Sequence, residues 1–180
     1  MRRPYSPVME RTDEGTRPGG SAEHGAIGGA PAHRDAAAIV ARAEADEAEA
    51  DRARERYRTG AMPALEPGGR IAALLEPDEH VVAVRRSAFV DRRQPAAGAD
   101  ARAGADAPTG VAGDLYLTSR RLIVTGRVTL SFELGAIEET MLSGERLLLV
   151  LRDGRGASID VSQPRLLRVE IAAARASARR

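Results

Sequence analysis

Three adjacent arginine pairs lie in the middle of the chain: Arg85-Arg86, Arg92-Arg93 and Arg120-Arg121. A guanidinium presents a planar fork of donors that matches a carboxylate or a phosphate, so paired arginines are candidate contacts for an anionic headgroup or an acidic peptide. The last pair belongs to "LYLTSRRLIVTG" (115–126), where the polar block Thr118-Ser-Arg-Arg121 separates two apolar runs. Such a block also suits a tight turn between strands, and Arg121 could serve it by pairing with a nearby acid. Catalytic chemistry finds less material. His24, His33 and His80 are the only histidines, and no two stand at metal-ligand spacing, so no metal site is expected. Ser87, Ser119 and Ser131 lack a histidine to activate them. Glu138 and Glu139 are adjacent, which in a strand sends them to opposite faces. Cysteine is absent, which removes disulfides, thiolate ligands and a cysteine nucleophile. Lysine is absent as well, so no phosphate-loop lysine exists. The reading is of a non-enzyme with no catalytic residue and no cofactor.

Charge and composition narrow the classes further. The formal net charge of the 180 residues is +1, with 43% hydrophobic and 3% aromatic residues and no Trp. The core must therefore be aliphatic. A small net charge and few aromatic stacking platforms argue against nucleic acid. Positive charge gathers at the C-terminus, where Arg165, Arg168, Arg175, Arg179 and Arg180 oppose Glu170 alone. Arginine in place of lysine, with abundant Ala and Gly, fits a GC-rich bacterial genome. No apolar run is long enough to span a bilayer, and the default location is the cytoplasm, with peripheral membrane contact as a variant.

The elements that must position these residues follow from pattern. Residues 1–34, rich in Gly, Pro, Ala and charge, read as a disordered tail. Residues 35–60 read as a charged helix and its stop, Asp35 capping the start and Gly60 ending it. Its acids come early and its arginines late, in accord with the helix dipole. Ile39, Ala43, Ala50, Ala53 and Tyr57 form a weak seam, interrupted by Asp46, that predicts a solvated helix or weak self-association through 35–59. Residues 61–69 are a linker, and Arg70–Leu75 a short helical turn stopped by Pro77. Seven strands are expected: 80–90, 114–118, 122–125, 128–134, 136–142, 145–152 and 157–161. In 128–134, Val128, Leu130, Phe132 and Leu134 alternate with polar residues, the mark of a half-buried strand. Residues 91–113 read as a long flexible loop. A helix closes the chain from Pro164, with Leu167, Ile171 and Ala174 on one stripe and Arg168, Arg175 and Arg179 on another.

Seven consecutive strands followed by an amphipathic helix resemble the pleckstrin-homology (PH) superfold. "GDLYLTSRRLIVTG" (113–126), the strand 128–134 and "LGAIEET" (134–140) resemble the GRAM domain and small bacterial PH-like domains, as does "LLEPDEHVVAVRR" (74–86). The PH/GRAM-like region is read as 70–180. The resemblance implies a mainly β fold: a bent barrel of two sheets, plugged at one end by the C-terminal helix, with the N-terminal helix outside it. It also implies a binding module whose partner is a protein or an anionic membrane surface. An alternative role is an assembly adaptor in which helix 35–59 carries the partner contact and the barrel is a scaffold.

Overall fold

The computed structural model describes residues 30–60, 62–93 and 110–178. Their elements are α1 (Ala30–Thr59), a 3-10 segment (Gly69–Leu74), β1 (Val81–Arg93), β2 (Val111–Thr118), β3 (Arg121–Gly126), β4 (Thr129–Glu133), a 3-10 turn (Leu134–Ala136), β5 (Ile137–Ser143), β6 (Arg146–Leu151), β7 (Gly156–Asp160) and α2 (Pro164–Ser177). The seven strands form one antiparallel sheet in the order β4-β3-β2-β1-β7-β6-β5. β4 and β5, neighbours in sequence, are its two edges, so the sheet is not closed. The long β1 joins its halves. β1 pairs with β2 from Val81 to Val90 and with β7 from Phe89 to Arg93, and its register with β2 shifts between Arg85 and Ala88. Ser87 takes a positive φ of 58° within that bulge. A bulge of this kind bends a strand and sharpens its twist.

The core is aliphatic, as composition requires. Leu115, Leu117, Leu122, Ile137, Leu147 and Ile159 are fully buried, and α2 inserts Leu167, Ile171 and Ala174 into the same cluster. The helix stripe predicted from periodicity therefore plugs the sheet. Arg168 lies outward, whereas Arg175 is half-buried and donates to the Glu138 carbonyl at 3.5 Å; Arg179 falls outside the described residues. Two facing glycines bracket the β2–β3 hairpin. Gly113 pairs with Gly126, and a Cβ on Gly113 would strike the Thr125 carbonyl.

Several boundaries differ from expectation. β1 runs on to Arg93 and β2 starts at Val111, which leaves 94–109 of the expected loop outside the described residues. Residues 30–34 belong to α1, so Asp35 lies inside the helix rather than capping it; the rest of the expected tail, 1–29, lies outside the described residues. Val128 is 55% exposed because it sits in the β3–β4 turn, ahead of the strand.

α1 is not a solvated rod over its whole length. From Asp46 onward its seam packs on α2: Ala50 and Ala53 are fully buried against Leu166 and Val169, with Tyr57 beside them. Asp46, which weakens the seam as a coiled coil, is its anchor. Pro164 opens α2, and Gln163 before it offers no side-chain cap. The Asp46 carboxylate accepts instead from the backbone N–H of Arg165 (2.8 Å) and of Leu166 (3.0 Å). It satisfies two orphan donors and sits at the positive end of the helix dipole. Small alanines let the helices approach closely enough for this reach. Ahead of Asp46, Ile39 and Val40 remain exposed.

A second anchor ties the entry of β1 to the β2–β3 turn. The Glu79 side chain is fully buried. It accepts from Arg121 Nε (3.0 Å) and Nη2 (2.9 Å), from the Thr118 hydroxyl (2.6 Å) and from the Glu76 N–H (2.9 Å). Arg121 also donates to the Leu74 carbonyl at 2.9 Å. Thr118 Oγ1 accepts from the Arg121 N–H, closing the turn on itself. Burial works to raise the Glu79 pKa, but these hydrogen bonds and the Arg121 charge outweigh it and hold the carboxyl below its ordinary range.

Three outcomes follow from these contacts. Leu167→Ala should cost about 2–5 kcal/mol, read as a lower urea midpoint, because it leaves a cavity among aliphatic side chains. Asp46→Ala should cost about 1–2 kcal/mol, with faster amide exchange at Arg165 and Leu166, whereas Asp46→Asn should lose less. Glu79→Gln should cost about 3 kcal/mol near neutral pH, since it strands most of the Arg121 charge. A carboxyl with a lowered folded pKa gives stability above its unfolded pKa and loses it as pH falls through the folded value. The urea midpoint of the parent chain should therefore fall below about pH 4.5, and that of Glu79→Gln should lack this component.

Candidate functional site

The open end of the sheet carries a cleft of about 580 Å³. It lies where β1 ends and β2 begins (Arg92, Val111), beside the β3–β4 turn (Val128) and the β6–β7 turn (Asp153, Arg155). Its floor is apolar because alternation turns Leu130 and Phe132 of β4 toward the core, where they meet Leu151 of β6. No residue of α2 lines it. Cleft and plug thus occupy different parts of the sheet's concave surface.

The charges at this cleft are balanced. Arg92 and Arg155 face Glu133 and Asp153. Arg155 grips Asp153 at 2.6–2.7 Å, and its hydrogen bond, side chain to side chain, holds the Asp153 carboxyl below its usual range. The Arg92 guanidinium lies 5.8 Å from the centre of the Phe132 ring, a cation–π distance.

The six arginines singled out from sequence do not meet on one rim. Arg121 is held by Glu79, and Arg120 pairs with Glu76 at 2.9 Å. Both sit beside the start of β1, where Thr118 pairs with Val81, while Arg92 is near the strand's far end. Arg93 pairs through its backbone with Gly156. Arg86 is exposed and meets Asp114 at 3.1 Å. Arg85 turns inward at the bulge and binds Glu170 of α2 at 2.7 Å, with both side chains about nine-tenths buried. Its Nε finds no partner. Burial dominates at Glu170 and pushes its pKa up in spite of Arg85. The same low-dielectric surroundings, with the Glu170 charge, push the nearby Tyr57 hydroxyl up. Arg85 and Arg121 are thus committed to internal carboxylates, and among the five whose side chains the structure describes, Arg92 alone lines the cleft.

The sequence does not mark Phe132, Val128 and Leu151 as cleft-lining residues because each reads as an ordinary apolar residue. Val128 carries no separate signal, since it alternates in phase with Leu130 and Phe132 and reads as part of their strand. Among the described residues no group of three His, Asp or Glu could hold a metal ion, and no helix is long and apolar enough to cross a membrane.

No family model and no curated protein matches this chain. Solved structures do. One is the C-terminal domain of an unknown protein from Leishmania infantum, 13% identical with a TM-score of 0.36, covering 57% of this chain and 85% of that one. Another is the pleckstrin homology (PH) domain of USP37, 18% identical with a TM-score of 0.35, covering 52% of this chain and 96% of that one. Both scores are low, and neither neighbour lends this chain a ligand.

Proposed function

We propose that this chain is a non-catalytic, PH/GRAM-like binding module of the cytoplasm that engages a partner protein through the apolar cleft at its open end. One observation carries the reading: Arg85 and Arg121 are held by buried carboxylates and Arg86 and Arg120 are paired with Asp114 and Glu76, while the open end offers an aliphatic, charge-balanced cleft. Pockets that bind proteins or small molecules are built in this way, an apolar lining with a few placed polar groups. A membrane headgroup bearing several phosphates needs uncommitted positive charge, and Arg155 is already paired with Asp153. The adaptor reading keeps one support of its own. Ile39 and Val40 are 46% and 55% exposed on α1 ahead of Asp46, although the seam from Asp46 to Tyr57 is already used inside the molecule.

Site-specific photocrosslinking separates these readings. A photoreactive residue at Val128 should give a discrete protein adduct in cells, and one at the exposed Glu138 should not. The Val128→Asp variant should reduce capture at least about tenfold, the loss of roughly 1.4 kcal/mol of apolar burial. Crosslinks from position 39 or 40 instead would favour the adaptor. Sedimentation with anionic but not neutral vesicles, weakening with salt, would move the assignment to a membrane surface.

A further inference from the structure

The cleft has a wall that apolar contact alone does not describe: the unpaired edge of β4. The phase of that edge is set by two hydrogen bonds at its ends. Leu134 N–H donates to the Arg120 carbonyl (2.8 Å) and Gly126 N–H to the Val128 carbonyl (3.2 Å). Between them Leu122 pairs with Phe132 and Val124 with Leu130. These are the hydrogen-bonded pairs of the β3–β4 ladder, so Thr129, Ser131 and Glu133 direct their N–H and C=O groups away from β3. Among the described residues no strand covers them, because β4 is an edge of the sheet. An edge of this kind is a template for another strand.

Side-chain phase and charge agree with that template. Leu130 and Phe132 point into the cleft, and alternate residues of an added strand would point the same way. The cleft is lined beyond them by Val111, Val128, Ala136 and Leu151. Its ionisable lining residues, Arg92, Arg155, Glu133 and Asp153, sum to zero. That balance opposes a polyanion and matches a segment whose polar groups are backbone amides.

From this, and resting on the cleft being the binding site, we infer that the partner is an extended peptide segment that adds as an eighth strand to β4. It bonds Thr129, Ser131 and Glu133 through its backbone and places alternate aliphatic side chains in the cleft. Recognition by strand addition takes affinity from main-chain bonds and specificity from the pockets for alternate side chains.

The test uses the full chain and a displayed library of random linear peptides. Enriched sequences should carry apolar residues at alternate positions. Ser131→Pro removes an outward N–H without touching the β3 ladder, a substitution that edge strands tolerate. It should weaken an enriched peptide on the order of tenfold or more, the value of a lost backbone bond with its neighbours displaced, while Ser131→Ala should not. Amide exchange in the unsubstituted chain gives a readout independent of any variant. Added peptide should slow exchange at Thr129, Ser131 and Glu133 and leave Leu130 and Phe132, already bonded to β3, unchanged. Peptides that survive Ser131→Pro but are lost on Val128→Asp would overturn strand addition and leave the cleft as the site. Peptides indifferent to both would overturn both readings. A library that yields no binder would overturn strand addition, with the Val128 crosslink deciding the cleft separately.

Discussion

Burying the Glu79 carboxylate is the constraint around which this fold is arranged. A charge so placed persists only if hydrogen bonds replace its water. Four donors do so, drawn from the bend before β1 and from the turn between β2 and β3. The bond set therefore fixes where β1 begins relative to β2, and register along the sheet follows from that starting point. Once Val81 stands opposite Thr118, Arg85 reaches the bulge and Phe89 reaches β7.

The same economy explains why an arginine-rich chain shows so little free positive charge at its cleft. Lysine is absent, so every ion pair to a carboxylate apart from histidine must use arginine. The fold spends Arg121 on Glu79, Arg85 on Glu170, and Arg165 on Asp46, Glu47 and Glu145. Each of these spans elements distant in sequence. The short-range pairs Arg52–Glu49, Arg54–Asp51 and Arg58–Glu55 decorate the outer face of α1 and add only local helix support. Counting arginines along the chain could not separate these uses from ligand contacts.

Local pattern was sufficient where a residue's fate depends on its neighbours. Leu130 and Phe132 alternate into the core, and Leu167 and Ile171 fall on the stripe of α2 that plugs the sheet, as their spacing requires. The polar block Thr118–Arg121 is a turn stabilised by its own threonine, as turn chemistry predicts. Pattern failed where the partner is remote. Nothing near Asp46 reveals a helix end to be capped, and nothing near Arg85 reveals Glu170, 85 positions downstream. The cleft was illegible for a related reason: its lining residues are core-like, and only the missing β4–β5 pairing leaves them accessible.

The cap that Asp46 supplies also has a direction in time. It joins residues 119 and 120 positions apart, so the first helix described here emerges from synthesis long before the last one exists. Until then Asp46 remains hydrated and the alanine face of α1 stays bare. Chains emerge N-terminus first, and contacts of such separation form late and slowly. The docking of α1 thus cannot precede the synthesis of α2. A nascent chain arrested before residue 165 would carry α1 without a surface to receive it.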